Sequence, residues 1–204
     1  MAQRGRPRNA EADERILRTA RDQLLEHGYA GFVVDKVAER ADVAKTTLYR
    51  RWPTKDHLAV AVVARMQDDV AVPDTGDVRA DLTDYAEQIA RGLNSMRRAG
   101  RQGEADDLSA GVVAELVAAA ARHPDIGTLV RDVFTRRNQV VLGLIDRARL
   151  RGELDSATDS GLLFDQLAGA LYYRLLITGR PIDRAYAERL VSAALRGALP
   201  LRES

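Results

Sequence analysis

The stretch Phe32–Lys55, FVVDKVAERADVAKTTLYRRWPTK, decides how the chain is read. Val34, Val37 and Ala38 recur at spacings of three and four, as do Val43, Ala44, Leu48 and Trp52. Each set therefore lies on one stripe of a short helix. Ala41, Asp42 and Val43 between them leave room only for a sharp corner, and the small Ala38 suits two helices that cross closely. The outer face of the second helix carries Lys45, Thr46, Thr47, Tyr49, Arg50 and Arg51, with no carboxylate. Cations, hydroxyls and a phenol suit phosphate oxygens and base edges, as on the recognition helix of a helix-turn-helix. The solvated face of an ordinary helical hairpin would carry similar residues.

Three features beyond the corner narrow the choice. Pro53 stops the second helix, because a residue before proline avoids the α region. Thr54 is placed to cap a new helix by accepting a backbone N–H. Lys55 then falls in the first turn, where the macrodipole disfavours a cation unless an anion such as phosphate also binds there. The segments DKVAERADVA and KTTLYRRWPTKDHL resemble the N-terminal domain of TetR/AcrR-type transcriptional regulators. The likeness spans about the first quarter of the chain, and beyond it only the layout of a long helical remainder is similar.

That resemblance implies roles residue by residue. Lys45 and Thr46 are the expected base-edge or groove contacts, and Thr47, Tyr49 and Lys55 the expected phosphate contacts. Arg50 suits either, since its planar fork can read guanine. Lys36 is expected to reach the backbone, Asp35 to stay away from phosphate, and Trp52 to anchor the helix from below. Two departures stand out. Val33 and Ala44 occupy positions where the family has Ser or Thr caps, each a loss of about 1 kcal/mol of helix stability. Asp42 replaces a turn glycine, and Asp tolerates left-handed dihedrals better than most residues.

Composition sets the frame around this stretch. The chain has 204 residues, 46% of them hydrophobic, few aromatics, no cysteine and a net charge of +1. That is enough apolar material for a substantial core. The absence of strand-like alternation points to an all-α protein of about nine helices. Without cysteine there is neither a disulfide framework nor a thiolate metal site. No signal peptide or membrane-length apolar run is evident, so a soluble, cytoplasmic protein is expected. Residues 1–55 hold 12 Lys or Arg against 8 Asp or Glu, and the remainder 19 against 22. The basic surplus sits with the helix-turn-helix, as an electrostatic footprint should.

Two domains are expected: 1–55, a helix-turn-helix head with a basic arm, and 56–204, a helical effector-binding and dimerisation domain, with a helix over 54–70 as connector. Residues 1–9 read as a flexible arm whose Arg4, Arg6 and Arg8 follow the phosphate backbone or enter the minor groove; a solubilising tail fits them equally. A first helix over 10–27, capped by Asn9, carries Ile16, Leu17, Ala20, Leu24 and Leu25 inward and ends at Gly28. Further helices are expected over 77–98, 104–122 and 124–151, with a loop at 97–103 and with Val117 among the inward residues. Residues 160–178 are apolar on more than one face, so that helix needs partners on most sides. With a last helix over 183–198 it implies a twofold dimer joined as a four-helix bundle. Leu163, Leu167, Gly169, Ala170, Tyr173, Tyr186, Leu190, Ala193 and Ala194 are the expected interface; a monomer with these helices central is the alternative.

The resemblance also implies a small-molecule effector that releases a repressor from a palindromic operator. Leu93, Met96, Val113, Leu116, Phe134, Leu142 and Tyr172 are pocket candidates, each of which also fits plain core. Arg174, in an apolar helix, either faces an acidic ligand group or reaches out to water. No cofactor and no metal are expected, and catalysis has no support. The three histidines lack metal-ligand spacing, and no nucleophile elbow or phosphate loop occurs. A helical adaptor that turns the basic face toward an acidic protein partner remains the rival class.

Overall fold

The computed structural model describes residues 7–68, 72–98 and 111–196, with side chains for all of these except residues 7–9 and 97. Nine α-helices occur among the described residues, and no strand. They are α1 Pro7–Gly31, α2 Val34–Arg40, α3 Lys45–Tyr49, α4 Lys55–Asp68, α5 Val78–Arg98, α6 Gly111–Arg122, α7 Pro124–Leu150, α8 Ser160–Leu176 and α9 Arg184–Leu195. The all-α class read from the sequence is what the chain adopts.

α1 starts earlier than the Asn9 cap implied. Pro7 opens it, because a first-turn residue has no intrahelical use for its N–H. Arg8 therefore belongs to a helix rather than an arm, while Arg4 and Arg6 lie outside the described residues. Gly28 does interrupt α1, at φ 65°, a left-handed value that glycine adopts without steric penalty. Ile16, Ala20 and Leu24 are fully buried below that break.

Contacts group the chain into two compact units. The first takes Met1–Gln67 with Ser95–Asp132, the second Asp68–Asn94 with Val133–Ser204. This grouping cuts the chain differently from a boundary at residue 55, since α4 and α6 fall in with the helix-turn-helix. In the first unit α1 lies against both α2 and α6. Leu58, Ala59, Val60, Val62 and Val63 of α4 are all buried, so α4 is covered on more than one side. Val112, Leu116 and Ala119 of α6 point inward, but Val117 is 48% exposed, contrary to the expectation for it. The start expected for α6 at 104, and the loop before it, lie outside the described residues.

The second unit is closed by polar clasps. Asp159 caps α8 by accepting from the Leu162 N–H at 2.9 Å, and Asp183 caps α9 by accepting from the Tyr186 N–H at 2.7 Å. Buried Asp81 accepts from the Thr75 N–H and hydroxyl at 2.9 and 2.8 Å. Asp74 takes Arg147 at 2.5 Å and Arg151 at 3.1 Å, and these cations hold its carboxyl below the usual range. The α8–α9 corner opens at Gly179, whose φ of 63° ends the turn after α8.

Candidate nucleic-acid interface

The corner between α2 and α3 is built from the bottom up by apolar burial. Val37 and Leu48 have no exposed surface, and Phe32, Ala38 and Ala41 retain 1 to 2%. Burying Leu48 alone stabilises the attachment of α3 by about 1.5–3 kcal/mol. Asp42 adopts φ 50°, the left-handed conformation expected of it in place of glycine. The Val43 N–H then donates to the Ala38 carbonyl at 3.0 Å, which closes the end of α2. Arg15 of α1 completes the corner, with Nε 2.7 Å from the Ala41 carbonyl oxygen and Nη2 3.4 Å from that of Asp42. The sequence reading missed this clamp, since twenty-six residues separate its two ends and no local pattern links them.

The caps lost at Val33 and Ala44 are lost in the structure too. Both residues sit in extended conformation before their helices and neither makes a side-chain cap bond. Buried Gln23 accepts instead from the Val33 N–H itself, its Oε1 at 3.4 Å. α3 itself is only five residues long, and Ala44 is exposed rather than turned inward as its spacing suggested. Trp52 is half-buried just after α3, consistent with an anchor beneath it.

The outward face gathers Lys45, Thr46, Tyr49 and Arg50, all exposed, with Thr47 half-buried beside them and Lys36 exposed on α2. Asp35, expected to stay away from phosphate, is bonded to two donors of this face. Its Oδ2 accepts from Lys45 Nζ at 2.6 Å and its Oδ1 from the Tyr49 hydroxyl at 3.0 Å. These bonds hold the Asp35 carboxyl below its ordinary range and push both Lys45 and Tyr49 above theirs. These two contacts of Asp35 are what the sequence reading did not foresee. Their signal was faint, an acid in the first turn of α2, where the macrodipole alone would explain it.

Below α3, the start of α4 is fixed by a second cluster. Thr54 Oγ1 accepts from the His57 N–H at 3.3 Å, the cap expected of it. Lys55 is half-buried, its ammonium 4.3 Å from the centre of the Tyr29 ring and 3.5 Å from the Ala30 carbonyl oxygen. The cation that seemed to require phosphate thus has an aromatic face and a carbonyl of its own. Burial pushes its pKa down, and Glu115 pulls it partly back. The Tyr29 hydroxyl donates to Asp56, and Arg51 pairs with Asp13, so Arg51 is turned away from the outer face. Arg65 binds Glu14 at 3.3 Å. Asp13 and Glu14, beyond the first turn of α1, therefore fasten Arg51 and Arg65.

The residues expected to form an effector pocket do not gather in one unit. Met96, Val113 and Leu116 are buried and belong to the first unit, while Leu93, Phe134, Leu142, Tyr172 and Arg174 belong to the second. In the second unit Phe134 meets Tyr172 edge-on, with ring centres 6.0 Å apart. The Arg137 guanidinium lies 4.9 Å from the Tyr85 ring. Burial pushes the Tyr172 hydroxyl well above its ordinary range, and Tyr85 adds to the effect. Tyr85 and Arg137 thus join this aromatic group without having been singled out. Arg174 has partners within its own chain. Its Nε donates to the Pro181 carbonyl at 2.9 Å and its guanidinium stacks 4.0 Å from the Tyr186 ring, which pins the α8–α9 corner.

Of the residues expected at an interface on α8, Leu163 and Leu167 are each only 4% exposed and serve the chain's own core. Leu162, Tyr173 and Ile177 are instead 58, 61 and 68% exposed and, with exposed Gly169, form one stripe. Ala193 is exposed on α9, while Ala170, Tyr186, Leu190 and Ala194 are half-buried.

A corner of two short helices, locked from behind and presenting a cationic and hydroxylic third helix, defines a helix-turn-helix DNA-binding protein. Residues 16–62 match the model of the tetR family of bacterial regulatory proteins, and residues 72–194 that of the tetracyclin repressor-like C-terminal domain. The chain belongs to the TetR family of transcriptional regulators. It is 34% identical over 198 residues to the uncharacterized HTH-type transcriptional regulator YdeS of Bacillus subtilis, which covers 96% of this chain and 94% of that one. It is 32% identical over 205 residues to the DNA-binding transcriptional repressor TetR of Mycobacteroides abscessus, with 96% and 95% covered. The crystal structure of the TetR family transcription regulator SCO0332 superposes with a TM-score of 0.77 at 32% identity, over 93% of this chain and 100% of that one. The chain is a DNA-binding regulator by family, not an enzyme. No helix among the described residues is long and apolar enough to cross a membrane.

Proposed function

We propose that this chain is a dimeric repressor that holds a palindromic operator and leaves it when a small molecule binds. The carrying observation is the polarity of α3: Leu48 is fully buried while Lys45, Thr46, Tyr49 and Arg50 on the other side are exposed. Two such helices, related by a twofold axis, enter successive major grooves about 34–36 Å apart. Lys45 and Thr46 reach base edges, Thr47 and Tyr49 take phosphates, and Arg50 reads guanine or phosphate. Lys36 reaches the flanking backbone, and Arg4, Arg6 and Arg8 extend the contact along it. Lys55 joins them only by leaving Tyr29 and the Ala30 carbonyl.

The division of labour places DNA binding in 1–55 and effector binding with dimerisation in 56–204, with α4 as the connector. The printed name of the Mycobacteroides abscessus relative supports repression. Tyr85, Phe134, Arg137 and Tyr172 support an aromatic-walled effector site in the second unit. The exposed stripe of α8 supports a pairing face, and a protein that acts on the chromosome works in the cytoplasm. An effector releases DNA only by preferring the conformation whose two heads are wrongly spaced. Selection of bound duplexes from a random pool tests the reading. A twofold-symmetric consensus with half-sites one helical turn apart is expected. Recovery of no consensus, or of a single unpaired half-site, rejects it.

A further inference from the structure

Among the described residues, Asp35 is the acid hydrogen-bonded to the donors Lys45 and Tyr49 of the recognition helix. Lys45 and Tyr49 are one helical turn apart on α3, and this single carboxylate binds both, at 2.6 and 3.0 Å. The group is not buried, since the Asp35 side chain is 46% exposed and that of Lys45 61%. Stability of the corner does not need it, because Leu48, Val37, Arg15 and Asp42 already fix the crossing. What it does is occupy, with a protein carboxylate, the two donors that would otherwise meet a phosphate.

We infer that Asp35 is a specificity-setting positioning residue, which keeps Lys45 and Tyr49 from any duplex that does not offer better acceptors than its own carboxylate. The inference rests on the reading that the α3 face binds DNA. A random duplex offers chiefly phosphates, held by loose electrostatics. Bringing a phosphate to this face sets it beside a like charge, and like-charge juxtaposition disfavours wrong partners. Lys45 therefore stays with Asp35 and adds little to non-specific binding. A matched sequence presents a base-edge acceptor to the Lys45 ammonium and a phosphate to the Tyr49 phenol in fixed positions, and there each donor exchanges one acceptor for another. The carboxylate also limits the rotamers of both side chains before DNA arrives, so fewer are lost on binding. The shift of the Asp35 titration to lower pH agrees with a carboxylate that is charged whenever the protein meets DNA.

The test compares the intact wild-type protein with Asp35→Asn, Asp35→Glu and Lys45→Met. Binding is measured on the duplex that the wild type selects from a random pool and on a scrambled duplex of equal length, across a salt series. Asp35→Asn should bind the scrambled duplex roughly tenfold more tightly, with little gain on the selected one. Its salt slope on the scrambled duplex should steepen by about 0.9, one added phosphate contact. Asp35→Glu should restore most of the discrimination. In the Lys45→Met background, where Asp35→Asn removes a repelling charge but frees no ammonium, both duplexes should tighten alike and the salt slope should not steepen by the Lys45 contact. A ratio of specific to non-specific affinity that stays within twofold overturns the inference, as does parallel weakening on both duplexes with unaltered melting. If the wild type itself binds no duplex in a salt-sensitive way, the DNA-binding role of α3 falls, and this inference with it.

Discussion

Arg15 shows how much of the interface depends on a residue that never faces DNA. Its guanidinium reaches from α1 to the carbonyls of Ala41 and Asp42, at the point where the chain leaves α2 and turns into α3. Those carbonyls would otherwise lack a partner at a helix end. Arg15→Ala removes a charge-assisted bond in a part-buried setting and should lower stability by about 1.5–3 kcal/mol, read from urea denaturation of the wild type and variant. Arg15→Lys should recover only part of this, because an ammonium cannot span two carbonyls as a planar fork does. The Asp35 cluster makes a pH prediction at the same scale. The Asp35 carboxyl is depressed, so its contribution is present above its ordinary value of 3.8 and fades only as pH falls through the lower folded value. Lys45 and Tyr49 are raised above 10.5 and 10.0, so theirs is present below those values and fades only at still higher pH. Glu39 adds to the Lys45 shift in the same direction. The Asp35→Asn to wild-type affinity ratio on DNA should therefore be flat from pH 5.5 to 8.5, and a slope across that range would show that another group governs it.

At the scale of elements, α3 is the weak member of the head. It has five residues, no side-chain cap at Ala44 and no acid in its first turn, so packing of Leu48 and Val43 must hold it in place. Ala44 is exposed and already in the extended conformation of an N-cap. Ala44→Ser should thus gain about 1 kcal/mol, seen as a higher melting temperature, whereas Ala44→Val should gain none. A fall in melting temperature for the serine variant would mean that the start of α3 is restrained by something other than its cap. This head was legible because its signals are local. The spacing of Val34, Val37, Ala38 and Leu48, the left-handed Asp42 and the Thr54 cap each act within a few residues and do in the structure what their positions implied. By contrast, Ala44 is exposed, Gly28 kinks α1 instead of ending it, and α3 stops at Tyr49, short of Pro53. The contacts of Asp35, Arg15, Gln23 and Arg51 were not legible, since they join residues from different helices whose crossing geometry no spacing encodes. The orientation of α8 was less legible, for another reason. A helix apolar on most sides has no clear phase, so Leu162 and Leu163 look equally suited to face inward, and only the packed chain distinguishes them.

For the whole molecule, the proposed symmetry turns on the surface that the chain itself leaves uncovered. Leu162, Tyr173 and Ile177 are large, apolar and more than half exposed on a single stripe of α8, with Gly169 between them allowing close approach. Large exposed apolar residues that share one helix face, here with exposed Gln166 among them, suit an interaction surface. On a twofold axis it is self-complementary, so a substitution there is felt twice. Tyr173→Asp with Ile177→Glu should yield a monomer by sedimentation, with helical content retained. The wild type's melting temperature should rise with protein concentration, as association linked to folding demands, and that of the variant should not. Operator affinity should fall to that of one half-site, because the second recognition helix is no longer held at the spacing of the next major groove. Leu167→Ala offers the contrast. Its side chain is 4% exposed within its own chain, so it should cost about 2–5 kcal/mol of stability through a cavity. A double variant that stays dimeric would move the pairing face away from α8. A Leu167→Ala protein that melts like the wild type but sediments as a monomer would return that face to the side of α8 that Leu163 and Leu167 share.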